Sequence, residues 1–153
     1  MRRFSWIAAL TVIVDQVTKW ACTRLTGSIP VIPGVLALTY AENTGMAFSM
    51  LSGHSWLLGI VSAVCILVGW LVMRRYTLGT TSRIAAMLML GGAVGNMIDR
   101  LFCGYVVDMF EVLFVDFAIF NVADAALTVG TALLAFTLIF RPDEWREKYN
   151  GSN

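Results

Sequence analysis

Four long apolar runs with few charges, separated by shorter polar stretches, set the pattern of the chain. An apolar helix needs about 20 residues to cross a hydrocarbon core roughly 30 Å thick, and residues 4–23, 55–73, 84–101 and 119–140 each approach that length. The first run is interrupted by Asp15 and Lys19, and the second carries no charge. The third has an uncharged core from Ile84 to Ile98 between Arg83 and Arg100, which can snorkel toward the interfaces. The fourth holds one carboxylate, Asp124, just inside its start. Residues 24–54 and 102–118 are too polar and turn-rich to span. The pattern predicts one membrane domain over residues 1–153, an all-α polytopic protein with four transmembrane helices.

Composition agrees. The chain is 58% hydrophobic and 14% charged, with a mean hydropathy of +0.75, whereas about a quarter of residues are charged in soluble proteins. A net charge of +1 without a basic stripe argues against nucleic acid as a partner. Cys22, Cys65 and Cys103 show no C-x-x-C spacing and read as packing residues. Asp15 and Lys19 argue against a cleavable signal peptide at the N-terminus, and Lys19 and Trp20 argue against a lipobox before Cys22.

The distribution of lysine and arginine gives an orientation. Arg2, Arg3, Arg74, Arg75, Arg83, Arg141, Arg146 and Lys148 fall on one side, and Lys19, Arg24 and Arg100 on the other. Both termini are therefore expected to be cytoplasmic. All five tryptophans sit near helix ends, the place for amphipathic rings. Asp15, Glu42, Asp99, Asp108, Glu111, Asp116 and Asp124, seven of the ten acids, map to the outer side or to the helix ends beneath it. The working face is expected outside.

An ionisable residue within a span costs about 2.5–3.5 kcal/mol on insertion scales, so each one raises a question of function. Asp15 and Lys19 lie four apart on one helix face, in the favourable order for an ion pair, and read first as a structural salt bridge. Gly91, Gly92 and Gly95 permit close approach of another backbone. Close packing does not account for Asn96, which continues a polar stripe from Gly92 to Arg100. Asn121, Asp124 and Thr128 share a face of the fourth helix, although Asn and Asp are also common helix caps.

The single histidine, His54, heads the second helix with no ligand-type partner nearby in sequence and reads as an interfacial residue rather than a metal ligand or triad base. No G-x-S-x-G occurs, and only Lys19 could serve a Ser-Lys pair. Carboxylate chemistry remains. Two carboxylates sharing a site hold one proton between them and so provide an acid and a base side by side. The seven acids leave the pairing open, with Asp108 the best partner for Asp124.

"DQVTK" at 15–19, "NTGMAFS" at 43–49, "GGAVGNMIDR" at 91–100, "GYVVDM" at 104–109 and "FNVADAA" at 120–126 together resemble bacterial lipoprotein signal peptidase (signal peptidase II). The resemblance runs from Asp15 to Gly130. It implies an intramembrane aspartyl peptidase that cleaves before the diacylglyceryl-modified cysteine of prolipoproteins in the bacterial inner membrane, with no cofactor or metal. It also implies that Asp108 and Asp124 are the catalytic pair, and that Asn43, Asn96, Arg100, Asn121, Asp15 and Lys19 line or support the site. A small extracytoplasmic β cradle and a mobile helical lid are implied with it, and alternating Val35–Tyr40 suits a cradle strand. Met46 departs from the family's usual alanine, which bears on the shape of the substrate pocket. Y-D and G-x-G-D motifs of presenilin-type proteases are absent. A small cation transporter using Asp99, Asp108 and Asp124, since carboxylates suit hard cations, and a non-catalytic membrane scaffold are the alternatives.

Labelling of single cysteines in a background lacking the native three should find Ser28→Cys and Glu111→Cys reactive from outside and Thr77→Cys from the cytoplasm. A label reaching position 77 only from outside would reverse the map.

Overall fold

The computed structural model describes residues 4–45 and 53–148. Its elements in chain order are α1 (Ser5–Cys22), β1 (Ile29–Ile32), β2 (Leu36–Asn43), α2 (Ser55–Met73), β3 (Tyr76–Leu78), α3 (Thr80–Phe102), β4 (Val106–Val112), α4 (Val122–Phe140) and, after a 3-10 turn at Pro142–Glu144, β5 (Trp145–Glu147). The four expected helices form, with ends shifted by a few residues. α3 starts earlier than Ile84. α4 starts later than Ile119, because Asn121 caps it and Phe120 instead bridges to Phe110 of β4.

Among the described residues, three helices, α2, α3 and α4, are long and apolar enough to cross a membrane. α1 is built differently. Its buried positions, Thr11, Asp15, Lys19 and Cys22, form one stripe facing inward. Its outward face carries Trp6, Leu10, Ile13, Val14, Val17 and Trp20, all exposed. The polar side packs inward and the apolar side outward, the reverse of a soluble amphipathic helix.

The chain is not strictly all-α. β1, β2 and β4 form an antiparallel sheet in the order β1-β2-β4, the expected cradle, in which Ala41 is paired with Asp108. Its underside packs through Cys22, Val107 and Met109, with Leu25, Leu38, Tyr40 and Tyr105 around them. Cys22 is thus a packing residue, whereas Cys65 and Cys103 are exposed and that reading fails for them. A second sheet, β3 with β5, was not anticipated. These strands have three residues each and pair across more than sixty positions of sequence, so no local periodicity marks them. Gly79 N–H donates to Glu144 O (2.8 Å) and Lys148 N–H to Arg75 O (2.9 Å), tying the end of the chain to the α2–α3 connection. Met46 lies outside the described residues.

Glycine determines how closely α3 approaches its neighbours. A Cβ on Gly92 would collide with Ala123 O of α4, one on Gly91 would sit 2.7 Å from Thr11 Cβ of α1, and one on Gly95 2.6 Å from Asp15 Oδ2. These three glycines make a seam against two helices at once, as small residues do in membranes. Gly130 of α4 is equally tight against Ala85 O and Met89. Gly92→Ala should force α4 outward and lower stability by about 1–3 kcal/mol, read as a drop in Tm in detergent. Gly69→Ala, with nothing within 4 Å, should leave Tm unchanged or slightly higher.

Candidate active site

The polar residues buried at the junction of α1, α3, β4 and α4 form one network, and Asn121 is its hub. Asn121 is fully buried and caps α4: its Oδ1 accepts from Asp124 N–H (2.9 Å), while Asp124 Oδ2 accepts from Asn121 N–H (3.2 Å). This reciprocal capping box satisfies two donors left over at the start of the helix. The same Asn121 donates from Nδ2 to Asp108 Oδ1 at 2.6 Å and to Asn96 Oδ1 at 3.2 Å. One amide therefore joins the first turn of α4 to the middle of β4, with a carboxylate on either side.

Each carboxylate has a second amide. Asn96 Nδ2 donates to Asp124 Oδ1 at 2.7 Å, and Asn43 Nδ2 donates to Asp108 Oδ2 at 3.0 Å. The Asn96 amide cannot be reversed, since its Oδ1 accepts from Lys19 Nζ (2.9 Å) as well as from Asn121. Asn43 is steadied by Gly45 N–H donating to its Oδ1 (2.9 Å), and Arg100 Nη2 donates to Gly45 O (3.3 Å). Asp108 and Asp124 both line a cavity of about 540 Å³ with Asn43, Arg100, Phe117 and Thr128.

Burial, more than any partner, pushes the Asp108 carboxyl from 3.8 up to about 6; the Asn43 and Asn121 amides oppose the shift and the charge of Asp124 adds to it. An acid held near neutrality beside a second carboxylate, both opening on one cavity, can accept and donate a proton in a single reaction.

The other acids do different work. Asp99 is turned away from the cavity, toward Lys19 Nζ (2.8 Å) and Gln16 Nε2 (2.9 Å). It therefore cannot join Asp108 and Asp124 in one cation site. Glu111 accepts from Thr39 and Ser28 on the cradle, Glu42 accepts from Tyr40 Oη, and Asp116 lies beside a separate loop cavity.

The chain is similar to known proteins over nearly its whole length. The family signature described as signal peptidase (SPase) II matches residues 7–140. The chain belongs to the signal peptidase II family. Proteins named lipoprotein signal peptidase from Streptococcus pyogenes serotypes M5 (strain Manfredo) and M18 (strain MGAS8232) are each 38% identical to it over 157 aligned positions, covering 99% of this chain and 98% of theirs. Two solved structures, each described as a bacterial membrane enzyme and determined at 2.3 and 1.9 Å, superpose with TM-scores of 0.86 and 0.82 at 32% and 33% identity. They cover 97% and 92% of this chain and 94% and 95% of theirs.

Of the expected site residues, the fold gathers Asp108, Asp124, Asn43, Asn96, Arg100 and Asn121 at one place. Asp15 and Lys19 lie one layer deeper and reach the site through Asn96 and through backbone. The Asp15–Lys19 ion pair forms at 2.8 Å, and it proves to be part of a larger cluster. Sequence reasoning missed Gln16 and Asp99 as members of that cluster. Both stand inside the motifs "DQVTK" and "NMIDR", so the signal was adjacency to residues already singled out.

The position of Asp108 gives a titration to measure. Its folded value lies above its ordinary value, so its favourable contribution to stability is present at low pH and is lost as pH rises through about 6. The ¹³C carboxyl titration of Asp108 should show its midpoint near 6. Asn43→Ala should raise that midpoint further by removing a donor that favours the ionised form. A midpoint in the ordinary carboxylate range would contradict the burial.

Proposed function

We propose that this protein is a lipoprotein signal peptidase that hydrolyses the peptide bond before the diacylglyceryl-modified cysteine of prolipoproteins, using Asp108 and Asp124 as an acid–base pair. The observation that carries the reading is the Asn121 bridge, which sets two amide-fixed carboxylates on one cavity. The ionised member takes a proton from water as the water attacks the scissile carbonyl. The protonated member donates its proton to the developing oxyanion, the proton taken from water passes to the leaving amine as the C–N bond breaks, and the diol returns a hydroxyl proton to the carboxylate as the product acid forms. Asn43, Asn96 and Asn121 keep the carboxylates aimed, and Arg100 sits at the cavity wall, where it can meet the substrate backbone. The mechanism requires no cofactor.

The accompanying topology is a single domain of four spans in the bacterial inner membrane, with both termini cytoplasmic and the cavity and cradle outside. The lysine and arginine asymmetry supports it, and so does α1, whose only polar stripe is turned inward. Membrane lipid surrounds the protein on this reading.

The lipid on the substrate acts through position. Burying each chain methylene contributes about 0.8 kcal/mol, but a bilayer offers nearly the same, so apolar burial alone selects nothing. Anchoring instead holds the scissile bond at the depth of the two carboxylates and orients the encounter.

The test uses purified protein and one prolipoprotein peptide, with and without its diacylglyceryl group, held in the same micelle by its signal helix and without added metal. The lipidated peptide should be cut and the other should react far more slowly; comparable kcat/KM for both would point to a peptidase that reads sequence alone. Asp108→Asn and Asp124→Asn should each lose on the order of 100- to 10,000-fold in kcat while remaining folded, because an amide cannot pass the proton. Glu111→Gln and Asp116→Asn should turn over close to the parent. An Asp116→Asn protein as inactive as Asp108→Asn would refute the pairing.

A further inference from the structure

Beneath the two carboxylates lies a cluster that the proposed chemistry does not use. Lys19 Nζ stands 2.8 Å from Asp15 Oδ2 and 2.8 Å from Asp99 Oδ2, and Gln16 Nε2 links the same two acids from the side, at 3.3 Å to Asp15 Oδ2 and 2.9 Å to Asp99 Oδ1. Asp15 and Lys19 are almost wholly inaccessible, and Asp99 is buried. A buried ion pair is often no more stabilising than an apolar replacement, so stability alone is a weak account of three charges here.

The outer bonds of the cluster suggest another role. Asp15 Oδ1 accepts from Ala123 N–H at 2.9 Å, and Ala123 immediately precedes Asp124. Asp99 Oδ2 accepts from Val107 N–H at 3.3 Å, and Val107 immediately precedes Asp108. Each supporting carboxylate thus holds the peptide just before one member of the pair, and Lys19 sits between the two supports. Asp15 has little room to shift, since Gly95 closes directly against its Oδ2. Lys19 also fixes the Asn96 amide that donates to Asp124.

We infer that Asp15, Lys19 and Asp99 form a positioning brace that fixes the separation of Asp108 and Asp124 through the backbone of Val107 and Ala123. None of the three touches the cavity, so they act through other residues. The inference rests on Asp108 and Asp124 being the reacting pair.

The experiment measures kcat, KM and the pH profile of kcat/KM on the diacylglyceryl peptide for Asp15 and Asp99 changed to Ala and to Asn. Both changes remove the charge, but only Asn keeps an oxygen for the backbone N–H, so the difference between them reads the brace. Misplacing a reacting group by about 1 Å can lower the rate on the order of 100-fold. Asp99→Ala should therefore lose kcat on that scale with KM little changed, and its pH profile should change width because the coupling of the pair depends on separation. Asp99→Asn should recover much of the loss. Equal kcat for the Ala and Asn forms, or the parent's kcat and pH profile in a folded Ala form, would overturn the brace. If the Ala forms do not fold, Asp99→Gln replaces them: its oxygen is displaced by one methylene, so a Gln form matching Asn in kcat and pH profile would also overturn it. Asp108→Asn and Asp124→Asn run alongside separate the two ideas. Turnover in either overturns the pair and the brace together, whereas inactivity in both with an unaltered Asp99→Ala overturns the brace alone.

Discussion

One ammonium between two buried carboxylates, Lys19 with Asp15 and Asp99, is the contact on which the polar interior of this bundle depends. A charge within a membrane span is costly and persists where it faces the bundle interior and finds partners. Here the partners come from two helices, α1 and α3, and their remaining lone pairs accept from the backbone of β4 and α4. Four elements therefore meet at one place without an isolated charge. Removing a single member would leave its partners buried and uncompensated, which is far more damaging than never having had the cluster.

That meeting requires close approach, and glycine supplies it. Gly91, Gly92 and Gly95 admit α1 and α4 to the same stretch of α3, so Lys19 of α1 and Asp124 of α4 both reach Asn96. Lipid gives no hydrophobic incentive for helices to associate, so close packing and interhelical hydrogen bonds have to do it. The seam and the polar network depend on each other. A bulkier seam would lengthen the Asn96–Asp124 bond, and a broken network would remove much of the reason for α1 to dock with its polar face inward.

In the site above the cluster, burial and hydrogen bonding act on Asp108 in opposite directions. Asp108 is buried on a strand whose register with β2 is fixed by the cradle, and burial holds its carboxyl near 6. Amides from Asn43 and Asn121 favour the ionised form, yet they do not undo the shift. A fully satisfied carboxylate would be more stable and would titrate too low to hold a proton near neutral pH. The intermediate environment suits the acid–base role proposed for Asp108.

The sequence by itself determined the elements with strong periodicity, the long apolar helices α2, α3 and α4, and the identity of the few polar residues inside them. Helical spacing was enough to put Asp15 with Lys19, and Asn96 with Arg100, because neighbours on a helix face are fixed by local geometry. Five motifs in order were enough to suggest the family. Local geometry says nothing, however, about which of seven acids faces which. Only the tertiary structure decided that Asp99 turns to Lys19 while Asp108 and Asp124 meet across Asn121, and that β3 finds β5 from the middle of the chain. Those pairings depend on distances between segments far apart in sequence, and packing sets such distances only when the helices and the cradle close on one another.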